Sequence, residues 1–160
     1  MSKQKIQKST SDAYFALTIA TLALIINFWA WSLLSPLGAK LASELTLTPV
    51  TLSLLLAVPV IVGSLGRIGL GMLTDKFGGR TMFAVISLLT AIPVFALTFA
   101  GSYSQYIITA IFLGFGGAAF VIGIPFVSAW FPPERRGFVL GVYSMGNAGT
   151  ALSGFATPRL

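Results

Sequence analysis

Five long apolar runs divide this sequence, and their length limits the possible folds more than any other feature. A helix needs about 20 mostly apolar residues to cross the roughly 30 Å hydrocarbon core of a membrane. A soluble helical bundle would show polar residues at helical spacing, and the run AYFALTIATLALIINFWAW shows almost none. The sequence therefore predicts an all-α integral membrane protein with five transmembrane helices, at about residues 12–34, 50–73, 81–100, 106–131 and 138–157.

The distribution of charge predicts an orientation in the membrane. The net charge of +6 comes from cations spread over short loops, without the basic stripe of a nucleic-acid-binding protein, so we expect no nucleic-acid partner. By the positive-inside rule the more basic side faces the cytoplasm. We therefore expect a plasma (inner) membrane protein whose basic N-terminus, residues 1–11, is cytoplasmic. The cations on this side are Lys3, Lys5, Lys8, Lys76, Arg80, Arg135 and Arg136.

Two connections carry residues that start or end helices. Thr48 followed by Pro49 is typical of an N-cap and a first helical position, so the second helix is expected to begin close to Val50. Gly78 and Gly79 predict a tight turn between the second and third helices.

One arginine, Arg67, lies inside the second apolar run, where a charge is costly. One interpretation is that its side chain snorkels to the cytoplasmic interface, since Leu73 is six residues away, or about 9 Å along a helix. The other is that a permanent cation faces a cavity and binds an anion, for which the rigid donor fork of arginine is suited. The other strongly polar residues deep in the runs are Asn27 and Asn147, and Asn27 is expected to make an interhelical contact or to line helix one.

The acidic residues all lie at the ends of runs or in loops, and the chain has no His and no Cys. It therefore offers no acid–base pair for catalysis and no proton relay or acidic site for a cationic substrate. We expect a protein that is not an enzyme and has no cofactor or metal site, and these features favour an anionic substrate. The acids are Asp12, Glu44, Asp75 and Glu134.

The loop after the second run resembles a family motif. Its sequence GMLTDKFGGR matches the G-x-x-x-D-[RK]-x-G-x-[RK] loop between helices two and three of the major facilitator superfamily. The resemblance implies a transporter whose fold is an N-terminal half-bundle of that superfamily, with this loop as a structural or gating motif. The matched residues are Gly71, Asp75, Lys76, Gly78 and Arg80.

Two later stretches are similar to the nitrate/nitrite porter branch of this superfamily. Residues 114–137 contain a glycine-rich segment and an aromatic-proline loop, and residues 137–154 contain a nitrate signature that includes Gly-Asn-x-Gly. The resemblance implies that Arg67, Phe120 and Asn147 bind the substrate, which would be nitrate or nitrite, with another small anion as the alternative. The signature glycines are Gly137, Gly141, Gly146 and Gly149.

The chain departs from this branch in two places. Ala119 stands where asparagine is common, and Tyr143, Ser144 and Met145 stand where more glycine is typical.

Five helices are fewer than the six in each half of such a transporter. The resemblance therefore implies that residues 12–160 are a partial N-terminal half. Its partners would be a small anion, the lipid bilayer and a missing C-terminal half, and we expect it to be inactive alone. A non-transporting membrane assembly partner, or a truncated remnant, is the alternative function.

Overall fold

The computed structural model describes residues 10–159, and the regular structure in this part of the chain is helical. The basic residues Lys3, Lys5 and Lys8 lie outside the described residues, and the first helix already begins at Thr10, inside the tail expected over residues 1–11. The α-helices are α1 (Thr10–Trp31), α2 (Leu34–Glu44), α3 (Pro49–Phe77), α4 (Gly79–Leu97), α5 (Tyr103–Gly114), α6 (Ala119–Ser128), α7 (Pro133–Ser144) and α8 (Ala148–Ala156). Short 3₁₀ helices occupy Phe115–Ala118, Met145–Asn147 and Thr157–Arg159.

The expected class, an all-α membrane protein, is confirmed. The expected number of five spans is wrong when spans are counted by helix length and hydropathy. In the described chain 4 segments are long and apolar enough to cross a membrane. The fifth run is not among them, because α7 is the least apolar of the helices, with charged residues such as Glu134 in its first turn, and Asn147 lies between α7 and α8. The spanning segments are Thr10–Glu44, Pro49–Phe77, Gly79–Leu97 and Tyr103–Ser128.

The first span is longer than the expected residues 12–34, because helical structure continues through α2 to Glu44. Leu34, Gly38 and Leu41 recur at helical spacing and are all buried. A Cβ built on Gly38 would meet a Leu56 methyl of α3 at 3.3 Å. The amphipathic α2 is therefore held against α3 by one face, which a search for unbroken apolar runs does not detect.

Helix α3 begins as predicted and ends later than residue 73. The Thr48 side chain caps it by accepting a hydrogen bond from the backbone N–H of Thr51 at 3.3 Å, and Pro49 is its first residue. The helix continues to Phe77 and stops where Gly78 has a φ of +84°. This left-handed conformation favours glycine, so the predicted turn between the second and third helices is confirmed.

The third and fourth spans each begin two or three residues before their expected starts at 81 and 106, with α4 starting at Gly79 and α5 at Tyr103. At the start of α5, the Gln105 side chain accepts a hydrogen bond from the Ser102 N–H at 3.3 Å, which is one half of a capping box. This cap fixes the start of the helix before the apolar run begins.

Two glycines allow α3 to cross the fourth span closely. A Cβ built on Gly63 would lie 2.9 Å from the carbonyl oxygen of Gly114, and one built on Gly114 would lie 2.6 Å from the Val62 Cβ. Since both distances are shorter than van der Waals contact, side chains at these positions would push the backbones apart. The fourth span, α5 with α6, contacts α1, α3, α4 and α7, so its midpoint is the centre of the bundle.

Candidate functional site

Arg67 lies on α3 and reaches the midpoint of the fourth span. The residue is half-buried, and its Nε donates a hydrogen bond to the carbonyl oxygen of Gly117 at 3.4 Å. Gly117 belongs to the 3₁₀ helix between α5 and α6, so the arginine side chain is held at that level of the bundle. This geometry disagrees with snorkelling to the cytoplasmic interface, and anion binding by Arg67 stays a prediction.

The guanidinium of Arg67 keeps donors available for a ligand. Among residues 10–159 its hydrogen-bond acceptor is the Gly117 carbonyl, and no carboxylate lies within ion-pair distance of it. The terminal amino groups, Nη1 and Nη2, are therefore left without a protein acceptor in the described chain. A planar oxyanion can accept hydrogen bonds from two such groups at once.

The indole of Trp31 lies against the same backbone turn. A Cβ built on Gly117 would lie 2.9 Å from the Trp31 Nε1, and this nitrogen donates a hydrogen bond to the Pro59 carbonyl at 3.0 Å. Helix α1, helix α3 and the fourth span therefore meet beside the acceptor of Arg67. Glycine at 117 is needed because any side chain there would displace the indole.

Phe120 is half-buried in the first turn of α6, three residues after Gly117. Its ring stacks on Tyr143 of α7, with centroids 5.9 Å apart and 20° between the planes. It also contacts Phe28 of α1 at 6.4 Å and 60°. Aromatic rings from α1, α6 and α7 therefore pack together, next to the turn whose carbonyl accepts the hydrogen bond from Arg67.

Tyr143 is the residue of this group that sequence reasoning missed. It has no exposed surface, and its hydroxyl donates a hydrogen bond to the Ala119 carbonyl at 2.9 Å. A Cβ built on Gly123 would overlap this hydroxyl, so glycine makes room for it. The available signal was the bulky aromatic at a position where the branch more often has glycine, together with a glycine in the middle of α6.

Asn147 makes no hydrogen bond to Arg67 in the described chain. It lies in the 3₁₀ helix between α7 and α8, is exposed, and its Nδ2 donates a hydrogen bond to the Ser144 carbonyl at 2.9 Å. Its role as a substrate ligand stays a prediction.

The signature glycines fall into two groups. A Cβ built on Gly146 would lie 2.6 Å from Leu24 of α1, and one built on Gly149 would overlap the Ile25 carbonyl of the same helix. Gly137 and Gly141 are exposed and have nothing within 4 Å of such a Cβ among the described residues. Gly146 and Gly149 therefore let the fifth run pack against α1, whereas Gly137 and Gly141 form a small, open face on α7.

The loop motif lies at the end of α3 and the start of α4. Gly78 makes the turn, and the charged members Asp75, Lys76 and Arg80 are all exposed. Between residues 10 and 159 none of them forms an ion pair, and Gly71 has open space around it. The gating role of the motif stays a prediction.

Asn27 makes the interhelical contact that was expected of it. Its Nδ2 donates hydrogen bonds to Ser87 Oγ of α4 at 2.9 Å and to the Ala23 carbonyl at 2.8 Å. Its Oδ1 is buried and, within the described chain, has no hydrogen-bond partner. Asn27 also lines a groove of about 420 Å³ between α1 and α4, whose walls are otherwise mainly apolar.

Comparison with known proteins gives a family and several relatives for this chain. Residues 20–158 match the family model of the Major Facilitator Superfamily. The relatives include a "Probable nitrate/nitrite transporter NarK2" of Mycobacterium tuberculosis, 47% identical over 89% of this chain and 37% of its own length. A "Probable nitrate/nitrite antiporter NarK1" of Thermus thermophilus is 38% identical over 98% of this chain and 35% of its own length. A "Nitrite extrusion protein" of Bacillus subtilis is 41% identical over 91% of this chain and 37% of its own length.

These matches confirm the resemblance to the nitrate/nitrite porter branch and indicate a multi-pass membrane protein. The chain spans little more than a third of the length of these relatives. By the match over residues 20–158, it belongs to the Major Facilitator Superfamily.

Proposed function

We propose that this chain forms the N-terminal part of a transporter of a small inorganic anion, and that the anion is nitrate or nitrite. The observation that carries the proposal is the geometry of Arg67: its Nε is fixed on the Gly117 carbonyl, and its terminal amino groups have no protein acceptor among the described residues. Support comes also from the relatives named as nitrate and nitrite transporters.

Nitrate suits such an arginine because both are planar. Two oxygens of the anion accept hydrogen bonds from two nitrogens of the guanidinium. An intramembrane cation without an acidic partner is costly, and a bound anion supplies the missing opposite charge. Phe120 forms a wall of the site, and Asn147 contributes a polar group when the remaining part of the transporter is present.

The orientation and the partners follow from the same proposal. The basic N-terminus and the loops that carry Lys76, Arg80 and Arg135 face the cytoplasm, across the plasma membrane. Transport requires a C-terminal half, because substrate sites of this superfamily lie between two halves. The 160-residue chain alone therefore takes up no anion.

The test uses a chimera in which residues 1–160 are joined to the remaining C-terminal part of the Mycobacterium tuberculosis relative. In proteoliposomes we expect uptake of nitrate or nitrite. Arg67→Lys keeps the charge and removes the donor fork, so the KM for nitrate should rise roughly tenfold or more, because a hydrogen bond to a charged group contributes about 1.5–3 kcal/mol.

Arg135→Lys is the matched control, since Arg135 is exposed at the start of α7 and has no place in the proposed site. Its KM should equal that of the unchanged chimera. An unchanged KM in Arg67→Lys would remove this residue from the site. Competition by a panel of small anions separates nitrate and nitrite from other substrates, and a chimera that transports a different anion only would overturn the assignment of nitrate.

A further inference from the structure

Tyr143 contacts both the backbone and the ring of Phe120. Its hydroxyl donates a hydrogen bond to the Ala119 carbonyl at 2.9 Å, and this carbonyl belongs to the peptide group that joins Ala119 to Phe120. Its ring stacks on the Phe120 ring at 5.9 Å. One side chain of α7 is therefore in a position to set both the path of the main chain at Phe120 and the plane of its ring.

The surroundings of Tyr143 keep it in one position. It is fully buried in the cluster that includes Leu24 and Ile122, and its hydroxyl fills the space left by the missing side chain of Gly123. A buried aromatic ring with a satisfied polar group packs rigidly. It can therefore serve as a fixed surface for its neighbour.

We propose that Tyr143 is a positioning residue of the anion site, which holds the Phe120 ring in a fixed orientation there. This inference rests on the proposed function. Tyr143 lies against one face of Phe120, and its hydrogen bond to the Ala119 carbonyl holds the main chain from which that ring projects.

The test is Tyr143→Phe in the transporting chimera. This change keeps the stacking ring and removes the hydrogen bond to Ala119, so Phe120 is held less firmly. We expect the KM for nitrate to rise about three- to tenfold, the range that follows from losing one hydrogen bond. The maximal rate and the amount of folded protein in the membrane should change little.

Tyr103→Phe is the matched control. The Tyr103 hydroxyl also pins the fourth span to a backbone carbonyl, that of Thr51 at 3.1 Å, but Tyr103 makes no ring contact with Phe120. The Tyr103→Phe variant should lose about as much stability as Tyr143→Phe, and its KM for nitrate should be unchanged. An equal rise in KM for both variants would show a general effect of stability and would overturn the proposal.

A second comparison tests whether Tyr143 acts through Phe120. In a Phe120→Leu background, adding Tyr143→Phe should cause no further rise in KM, and a full further rise would contradict the mechanism. Should Tyr143→Phe protein fail to accumulate, Gly123→Ala displaces the hydroxyl without removing it and must raise the KM in the same direction. An unchanged KM in that variant, or in Tyr143→Phe, would overturn the role of Tyr143.

These failures are distinguishable from failure of the proposed function. A chimera that takes up no small anion at all contradicts the function itself. A chimera that transports nitrate normally, with and without the Tyr143 hydroxyl, contradicts only the positioning role.

Discussion

At the scale of single residues, Gly146 and Gly141 belong to one signature but differ in what surrounds them. Alanine at 146 would place a methyl group 2.6 Å from Leu24 in a packed interface. We expect Gly146→Ala to lower the free energy of unfolding by about 1–3 kcal/mol, the usual cost of overpacking. Thermal unfolding of the purified chain in detergent measures this change.

Gly141→Ala is the control for that measurement, because its Cβ meets nothing within 4 Å in the described chain. Alanine is also the better helix former, so this variant should be as stable as the original or up to about 1 kcal/mol more stable. Equal melting temperatures for both variants would contradict the contact between Gly146 and α1.

At the scale of helices, the turn between α3 and α4 depends on one backbone conformation. Gly78 has a φ of +84° and a ψ of 144°, a conformation that is almost restricted to glycine, and a side chain there costs about 1–3 kcal/mol. Gly78→Ala should therefore destabilise the chain by this amount and increase proteolysis in the connection. Gly101→Ala, in an open loop without a positive φ, should change neither quantity, and an equal loss of stability in both variants would contradict the role of Gly78.

Local signals predicted helix ends better than helix lengths. The cap at Thr48 and the turn at Gly78 depend on neighbouring residues in the chain, so the sequence indicates them directly. The extension of the first span through α2 depends on Leu41 packing in a separate cluster with Leu55 of α3, and the packing of the fifth run depends on Gly146 approaching α1. Such tertiary contacts are not visible in a pattern of apolar residues.

At the scale of the whole molecule, the proposed orientation can be measured because the chain contains no cysteine. Ser43 of α2 and Glu134 of α7 are both exposed and are expected on opposite sides of the membrane. A membrane-impermeant thiol reagent should label Ser43→Cys in intact cells and Glu134→Cys only after permeabilisation. The reverse pattern would contradict a cytoplasmic N-terminus, and the cysteine-free chain gives the background.

Some residues of the candidate site could be predicted from the sequence and others could not, for a physical reason. Arg67 is visible in the sequence because a charge in an apolar run is rare and costly, and Phe120 was found through a family resemblance. Tyr143 was visible only as a departure from the family pattern, and its contact with Phe120 depends on space left by Gly123, on a different helix. Asn147 was expected to bind the substrate, which stays a prediction, and in the described chain its side chain bonds to the Ser144 carbonyl at the end of α7.

The acceptor that holds Arg67 is a main-chain carbonyl, that of Gly117. Every amino acid carries this group, so no substitution at position 117 can delete it, although substitution can shift it. The direction of the arginine is thereby set by the course of the polypeptide and is insulated from changes in neighbouring side-chain chemistry. Sequence drift around Arg67 can alter the neighbouring side chains while the positive charge keeps pointing the same way.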